Sequence, residues 1–263
     1  MLIFVFVRQP SDALLALGLQ SGATLLGGIL GLLIAFRKFQ LRLVIPTRTD
    51  LQTAVSEGWH LFVSTAAVSL YTNTNVFLVG LLGGNVQAGY FSGAEKIVRA
   101  VQGVIGPISQ AVFPRMNGLV AHSKQQALLF AARTMRWVGS LSLAGSAIIF
   151  LFAPYIVRIL FGNAASGSIP VIRWIAFLPA LIAISNVLGV QIMVTFNLDR
   201  EFSRILIIAG LFNILLGVPL IKLFFATGAG AAVLFTECLV TVLMIWQLKR
   251  HGIHVWSWRR SIV

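Results

Sequence analysis

Apolar windows of close to 20 residues recur along the whole chain, and they limit its fold more than any other feature. They fall at roughly 13–36, 59–82, 88–113, 137–157, 174–195, 205–223 and 229–248. About 20 residues of helix span a hydrocarbon core of ~30 Å, and in lipid only helices and closed barrels satisfy the backbone. The windows are uninterrupted rather than alternating over ~10 residues, which argues against a barrel. The expectation is an all-α polytopic membrane protein with about seven transmembrane helices. Composition agrees: 10% of residues are charged, against about 25% in a soluble domain. The single cysteine, Cys238, lies in an apolar run, leaving no disulfide or cysteine metal site.

A net charge of +13 could suggest nucleic acid, but its distribution does not. Alternate connections hold Arg37, Lys38, Arg42 and Arg48; Arg115, Lys124, Arg133 and Arg136; Arg200 and Arg204; and Lys249, Arg250, Arg259 and Arg260. Arg8, Arg158 and Arg173 lie on the other side, with Lys96, Arg99 and Lys222 inside spans. This is the positive-inside bias, and it predicts a cytoplasmic C-terminus. The tail from His254 through Trp256, Trp258, Arg259 and Arg260 reads as an interfacial anchor.

Seven spans ending in the cytoplasm require the first to begin outside, and Met1–Asp12 is too short to cross the bilayer. The opening Met-Leu-Ile-Phe-Val-Phe-Val therefore reads as the end of a helix whose beginning is absent; a short translocated N-terminus is the alternative. Residues 1–36 hold a first helix, set apart from a block of six. Residues 37–58 form a basic cytoplasmic linker broken at Pro46–Asp50, 59–248 a six-helix bundle, and 249–263 a cytoplasmic tail. Gly18, Gly22, Gly27 and Gly31 give the first span two Gly-x-x-x-Gly spacings, which allow close helix approach or simply mark a glycine-tolerant membrane helix. Pro107, Pro179 and Pro219 are expected to bend their spans.

The segment 88–116 carries a polar stripe of Ser92, Glu95, Lys96, Arg99, Gln102, Ser109 and Gln110. At 100° per residue these fall within an arc of roughly 140° on one helical face. A stripe of that length must face protein or a water-filled cavity, and intramembrane charges are a functional signal. The plainer alternative is that Glu95 and Arg99, at i,i+4, neutralise each other. Lys96 then remains for an anionic ligand, with Arg99 shared, and a phosphate suits both. The preceding span adds Ser64, Thr65, Ser69, Tyr71, Thr72, Asn73, Thr74 and Asn75. These are either interhelical glue or one wet face, and hydroxyls and amides beside an aromatic suit a sugar. Asn186, Gln191, Asn213 and Glu237 are further intramembrane polar positions. Glu237 is expected either to carry a coupling proton or cation, or to meet a partner on another helix.

No catalytic residues, metal ligands or cofactor motif emerge. His-x-x-x-His and Gly-x-Ser-x-Gly are absent, and the histidines lie in loops or at interfaces. Gly162 to Ser168 has the spacing of a phosphate loop without its lysine or preceding strand, and reads as a connection. The longest outer connection, 158–173, is short for a polysaccharide polymerase.

Several pieces between Glu57 and Met116 carry a family resemblance: Glu57-Gly58-Trp59, Tyr71-Thr72-Asn73-Thr74-Asn75-Val76, Gly89-Tyr90-Phe91-Ser92, Ala94-Glu95-Lys96-Ile97-Val98-Arg99-Ala100 and Pro107-Ile108-Ser109-Gln110-Ala111-Val112-Phe113-Pro114-Arg115. Here the chain resembles bacterial O-antigen and exopolysaccharide flippases of the polysaccharide transporter family, within the multidrug/oligosaccharidyl-lipid/polysaccharide exporter superfamily. The resemblance is sharp over about 60 residues and general elsewhere.

It implies a two-bundle fold around a central cavity, in the inner membrane, working by alternating access. The cargo would be an undecaprenyl-pyrophosphate-linked oligosaccharide for lipopolysaccharide or exopolysaccharide. A polysaccharide polymerase and a chain-length regulator would be its protein partners, with membrane lipids around it and no nucleic acid. Residues 59–248 would match the second bundle and 13–36 the last helix of the first. Most of the first bundle is absent from this sequence, so an inactive remnant of a flippase gene is one alternative. A cation-coupled drug or metabolite exporter, relying on Glu237, is another.

Overall fold

The structure is a computed structural model that describes residues 13–39, 46–162 and 165–253. The opening stretch Met1–Asp12, Arg42 in the linker and the tail from His254 lie outside the described residues. The chain divides into two compact units after Ser56.

In the first unit, α1 (Ala13–Phe39) is an apolar helix ending on Arg37 and Lys38, cations placed where the helix dipole favours them. Nothing among the described residues packs on its glycines. The Pro46–Asp50 break proves to be the start of a helix, α2 (Arg48–Gly83). Thr47 Oγ1 and the Asp50 carboxylate each accept from the other's backbone N–H, at 3.3 and 2.9 Å. This is a reciprocal cap.

In the second unit, Gly84 turns the chain from α2 into α3 (Asn85–His122) with φ of 84°, a left-handed value that favours glycine. Ser123 alone joins α3 to α4 (Lys124–Phe161). Its N–H donates to Leu119 O and its hydroxyl accepts from Gln126 N, so one residue ends a helix and caps the next. At 38 residues each, α3 and α4 are about 57 Å long and overrun the hydrocarbon core. The apolar windows mark only the lipid-facing part of each helix, because backbone hydrogen bonding continues into water.

The expected fifth span is assembled from three pieces: α5 (Ser168–Ile175), α6 (Leu178–Asn186) and a π-helical stretch, Val187–Val194. The break between α5 and α6 falls just before Pro179, which has no N–H to continue the ladder. The expected sixth and seventh spans are the arms, 199–224 and 226–250, of α7 (Asp199–Arg250). Phe225, at φ 51° and ψ −131°, folds one arm back on the other. Asn213 and Thr236 show the reversal: 23 positions would separate them by ~35 Å along a straight helix, yet they are hydrogen-bonded.

Large apolar side chains point outward, among them Trp137, Leu151, Ile159, Leu215 and Leu223, while Ala94, Ala131, Ala153, Ala209, Ala229 and Ala232 are buried. Lipid gives no hydrophobic reason to bury a leucine, and small residues let helices approach closely. The pattern is that of a multi-pass membrane protein. Four described segments are long and apolar enough to cross a bilayer: Ser21–Phe39, Lys124–Phe161, Ser168–Val194 and Asp199–Arg250. The buried core forms two layers. One gathers Phe91, Ala94, Ile149, Ala153, Ile172 and Ile221. The other gathers Met116, Leu128, Ile192, Leu206, Met244 and Leu248. Between them along the helices lie Gln102, Ser142, Ser146, Asn213 and Thr236, a polar belt at mid-height.

Candidate functional site

One turn of α3 supplies the charges. Arg99 Nη2 donates to Glu95 Oε1 at 2.8 Å, the i,i+4 pair that the spacing suggests. The Arg99 side chain is 51% exposed and that of Glu95 22%, so the carboxylate is the deeper partner. Both line a cavity of about 110 Å³ together with Asn75 from α2, Gln102 one turn further along α3, and Glu237 from the second arm of α7. Phe91, Val98, Ile175, Leu178, Ile182 and Val233 complete its wall. Asn75 and Glu237 are both buried, Glu237 at 4% exposure. Two carboxylates and one guanidinium therefore share a small, mostly apolar chamber, where charges interact more strongly than in water.

The rest of the stripe goes elsewhere. Lys96 and Ser92 turn to a separate groove. Ser109 hydrogen-bonds Asn186 Oδ1, and Gln191 Nε2 donates to Ser109 O and Oγ at 2.9 and 3.1 Å, tying α3 to the π-helical stretch. Gln110 and Asn73 are exposed, and the side chain of Tyr71 lies outside the described residues. The division follows from geometry, since a 140° arc on a helix is wide enough to meet more than one neighbour.

Residues 1–120 match the family described as polysaccharide biosynthesis protein. A candidate O-antigen transporter of Escherichia coli (strain K12) is 35% identical over 254 residues, 97% of this chain and 61% of the relative. A second, from Shigella dysenteriae, is 31% identical over 249 residues, 94% of this chain and 62% of the relative. The chain is similar to this family over residues 1–120 and to both relatives along nearly its whole length. It spans about three fifths of the length of these curated relatives. No solved structure matches it significantly.

The sequence pattern had grouped Glu95, Arg99 and Gln102 on one stripe, with Asn75 on a possible wet face of the preceding span. It did not indicate that Glu237 lines the same cavity.

Proposed function

We propose that the chain takes part in moving a lipid-linked oligosaccharide, an O-antigen or exopolysaccharide unit on undecaprenyl pyrophosphate, across the bacterial inner membrane by alternating access. The observation that carries this reading is the cavity shared by Asn75, Glu95, Arg99, Gln102 and Glu237; the names of the relatives support it. Arg99 is the group for anionic parts of the cargo, and Gln102 and Asn75 suit sugar hydroxyls. At about 110 Å³, the chamber is smaller than the ~300 Å³ at which pockets for small ligands begin, and it holds no oligosaccharide. Transport therefore requires α3 and the second arm of α7 to part. Glu237, buried on that arm, is the residue to take up a coupling proton or cation.

The orientation belongs to the same reading. At the Ser123 end of the bundle lie Arg115, Lys124, Arg133, Arg136, Arg200, Arg204, Lys249 and Arg250. Arg158, Arg173 and Lys222 lie towards the other end, so the C-terminus faces the cytoplasm.

The test is complementation of a strain lacking its own O-antigen transporter. Arg99→Gln and Glu237→Gln should each abolish the O-antigen ladder while the protein stays in the membrane. An unchanged ladder in both variants would refute the reading. Loss of drug resistance with intact glycan would favour an exporter.

A further inference from the structure

The two arms of α7 leave a groove between them at the Ser123 end of the bundle, apart from the charged chamber. Glu201, Arg204 and Ile208 line it from the first arm, and Leu243, Trp246 and Arg250 from the second. It measures about 250 Å³, close to the ~300 Å³ at which pockets for small ligands begin.

Both walls change character in the same direction, although the arms run in opposite senses. Glu201, Arg204, Ile208, Leu211 and Leu215 follow one another on the first arm at spacings of three and four residues, which places them on one face. The second arm ends through Leu243, Trp246 and Arg250 at the same spacings. Charged groups therefore mark one end of the groove, and its other end runs on into Leu211 and Leu215, both exposed. Trp246 is half exposed where the two characters meet, as an indole is at the surface of a bilayer. A face graded in this way suits a molecule with a charged head and an apolar tail, and the surrounding membrane supplies such molecules at this depth.

The charge at the head end is mixed, and that narrows the ligand. The Arg250 guanidinium lies 4.4 Å from the centre of the Trp246 ring, a cation–π contact that orients it. Arg204 is exposed and Glu201 half-buried. None of the three forms an ion pair with a described residue. Two guanidiniums alone would accept any phosphate. The carboxylate alters the match, because it repels a purely anionic head and attracts a cation. A headgroup that carries both a phosphate and an ammonium answers all three side chains. Its phosphate meets the arginines, and its ammonium, a donor only, meets Glu201.

We infer that the groove between the arms of α7 holds the headgroup of a zwitterionic aminophospholipid, phosphatidylethanolamine, with its acyl chains along Ile208, Leu211 and Leu215. This lipid is a resident of the protein's outer face. The site stands whether or not the charged chamber handles the cargo proposed above.

The purified chain in detergent micelles is titrated with phosphatidylethanolamine and with phosphatidylglycerol of the same acyl chains, and native mass spectrometry counts the bound lipid. One saturable site is expected, filled at about fivefold lower concentration by phosphatidylethanolamine. Glu201→Gln should erase that preference while phosphatidylglycerol binds as well as before or better. Arg204→Gln and Arg250→Gln should each weaken both lipids. Arg136→Gln, exposed at the same end but outside the groove, should weaken neither. If the unaltered chain binds the two lipids equally, or if Glu201→Gln keeps the preference, the inference is overturned. Equal losses in Arg136→Gln and Arg204→Gln would also overturn it, since they report a diffuse basic surface. Thermal unfolding monitors each variant, and should Arg250→Gln not fold, Glu201→Gln and Arg204→Gln decide.

Discussion

Asn213 Nδ2 donates to Thr236 Oγ1 at 3.1 Å, joining two fully buried side chains on opposite arms of α7. Thr236 Oγ1 passes the bond on to Ala232 O at 2.8 Å, so the amide is held by a hydroxyl that is itself fixed. Asn213→Ala should loosen the hairpin. A double-mutant cycle with Thr236→Val should give a coupling of about 1 kcal/mol, the scale of hydrogen bonds between membrane helices. Unfolding by titration with a denaturing detergent measures it, and additive effects would show that the bond contributes nothing.

Arg99→Gln should destabilise the protein more than the double change Glu95→Gln/Arg99→Gln. The single change leaves the Glu95 and Glu237 carboxylates lining one cavity without the guanidinium, and the double change removes one of them. The difference should be on the order of 1 kcal/mol, since half of the Arg99 side chain is open to solvent. The same detergent titration reads it, and equal stabilities would refute the account.

Two glycines make contrasting predictions. A Cβ on Gly228 would sit 2.0 Å from the backbone carbonyl oxygen of Leu220, and one on Gly189 would sit 2.4 Å from the Phe202 ring. Gly228→Ala should cost at least about 3 kcal/mol, with no side-chain change able to rescue it. Gly189→Ala should be rescued in large part by Phe202→Leu. Yield of monodisperse protein after purification distinguishes the two.

The α2 cap should respond to acid. Hydrogen bonds from the Thr47 hydroxyl and backbone N–H hold the Asp50 carboxyl below its ordinary pKa. A lowered folded-state value means that the carboxylate stabilises the helix start fully above about pH 3.9, the ordinary aspartate value. That contribution fades as pH falls through the lowered value. Amide exchange in the first turn of α2 should therefore quicken, relative to mid-helix amides, between pH 6 and pH 3. Asp50→Asn should remove the pH dependence.

The segments long and apolar enough to cross a bilayer were legible because each leaves a long apolar window, and even the turn at Phe225 falls in the gap between two such windows. The Glu95–Arg99 pair was legible because i,i+4 neighbours are fixed by the helix itself. What each polar residue meets across the bundle was not legible. A helical wheel gives an angle, and the partner at that angle depends on where other helices cross. Eight polar residues at 64–75 looked alike, yet among those whose side chains the structure describes Asn75 alone lines the charged cavity. The π-helical turn at Val187–Val194 had no mark either, because its sequence is apolar apart from Gln191. The Thr-x-x-Asp spacing at 47–50 is a helix-start signal, but Pro46 beside it also marks a turn, and the pattern alone does not separate the two.

The one-residue joints at Ser123 and Phe225 bear on how the protein is made. A chain that turns on a single residue leaves a newly synthesised helix lying against the one completed just before it. Contacts so near in sequence cost little chain entropy to close, so α3 with α4, and the two arms of α7, can each pack as a pair ahead of contacts between more distant helices. Asn213 and Thr236 can then satisfy each other before lipid surrounds either one.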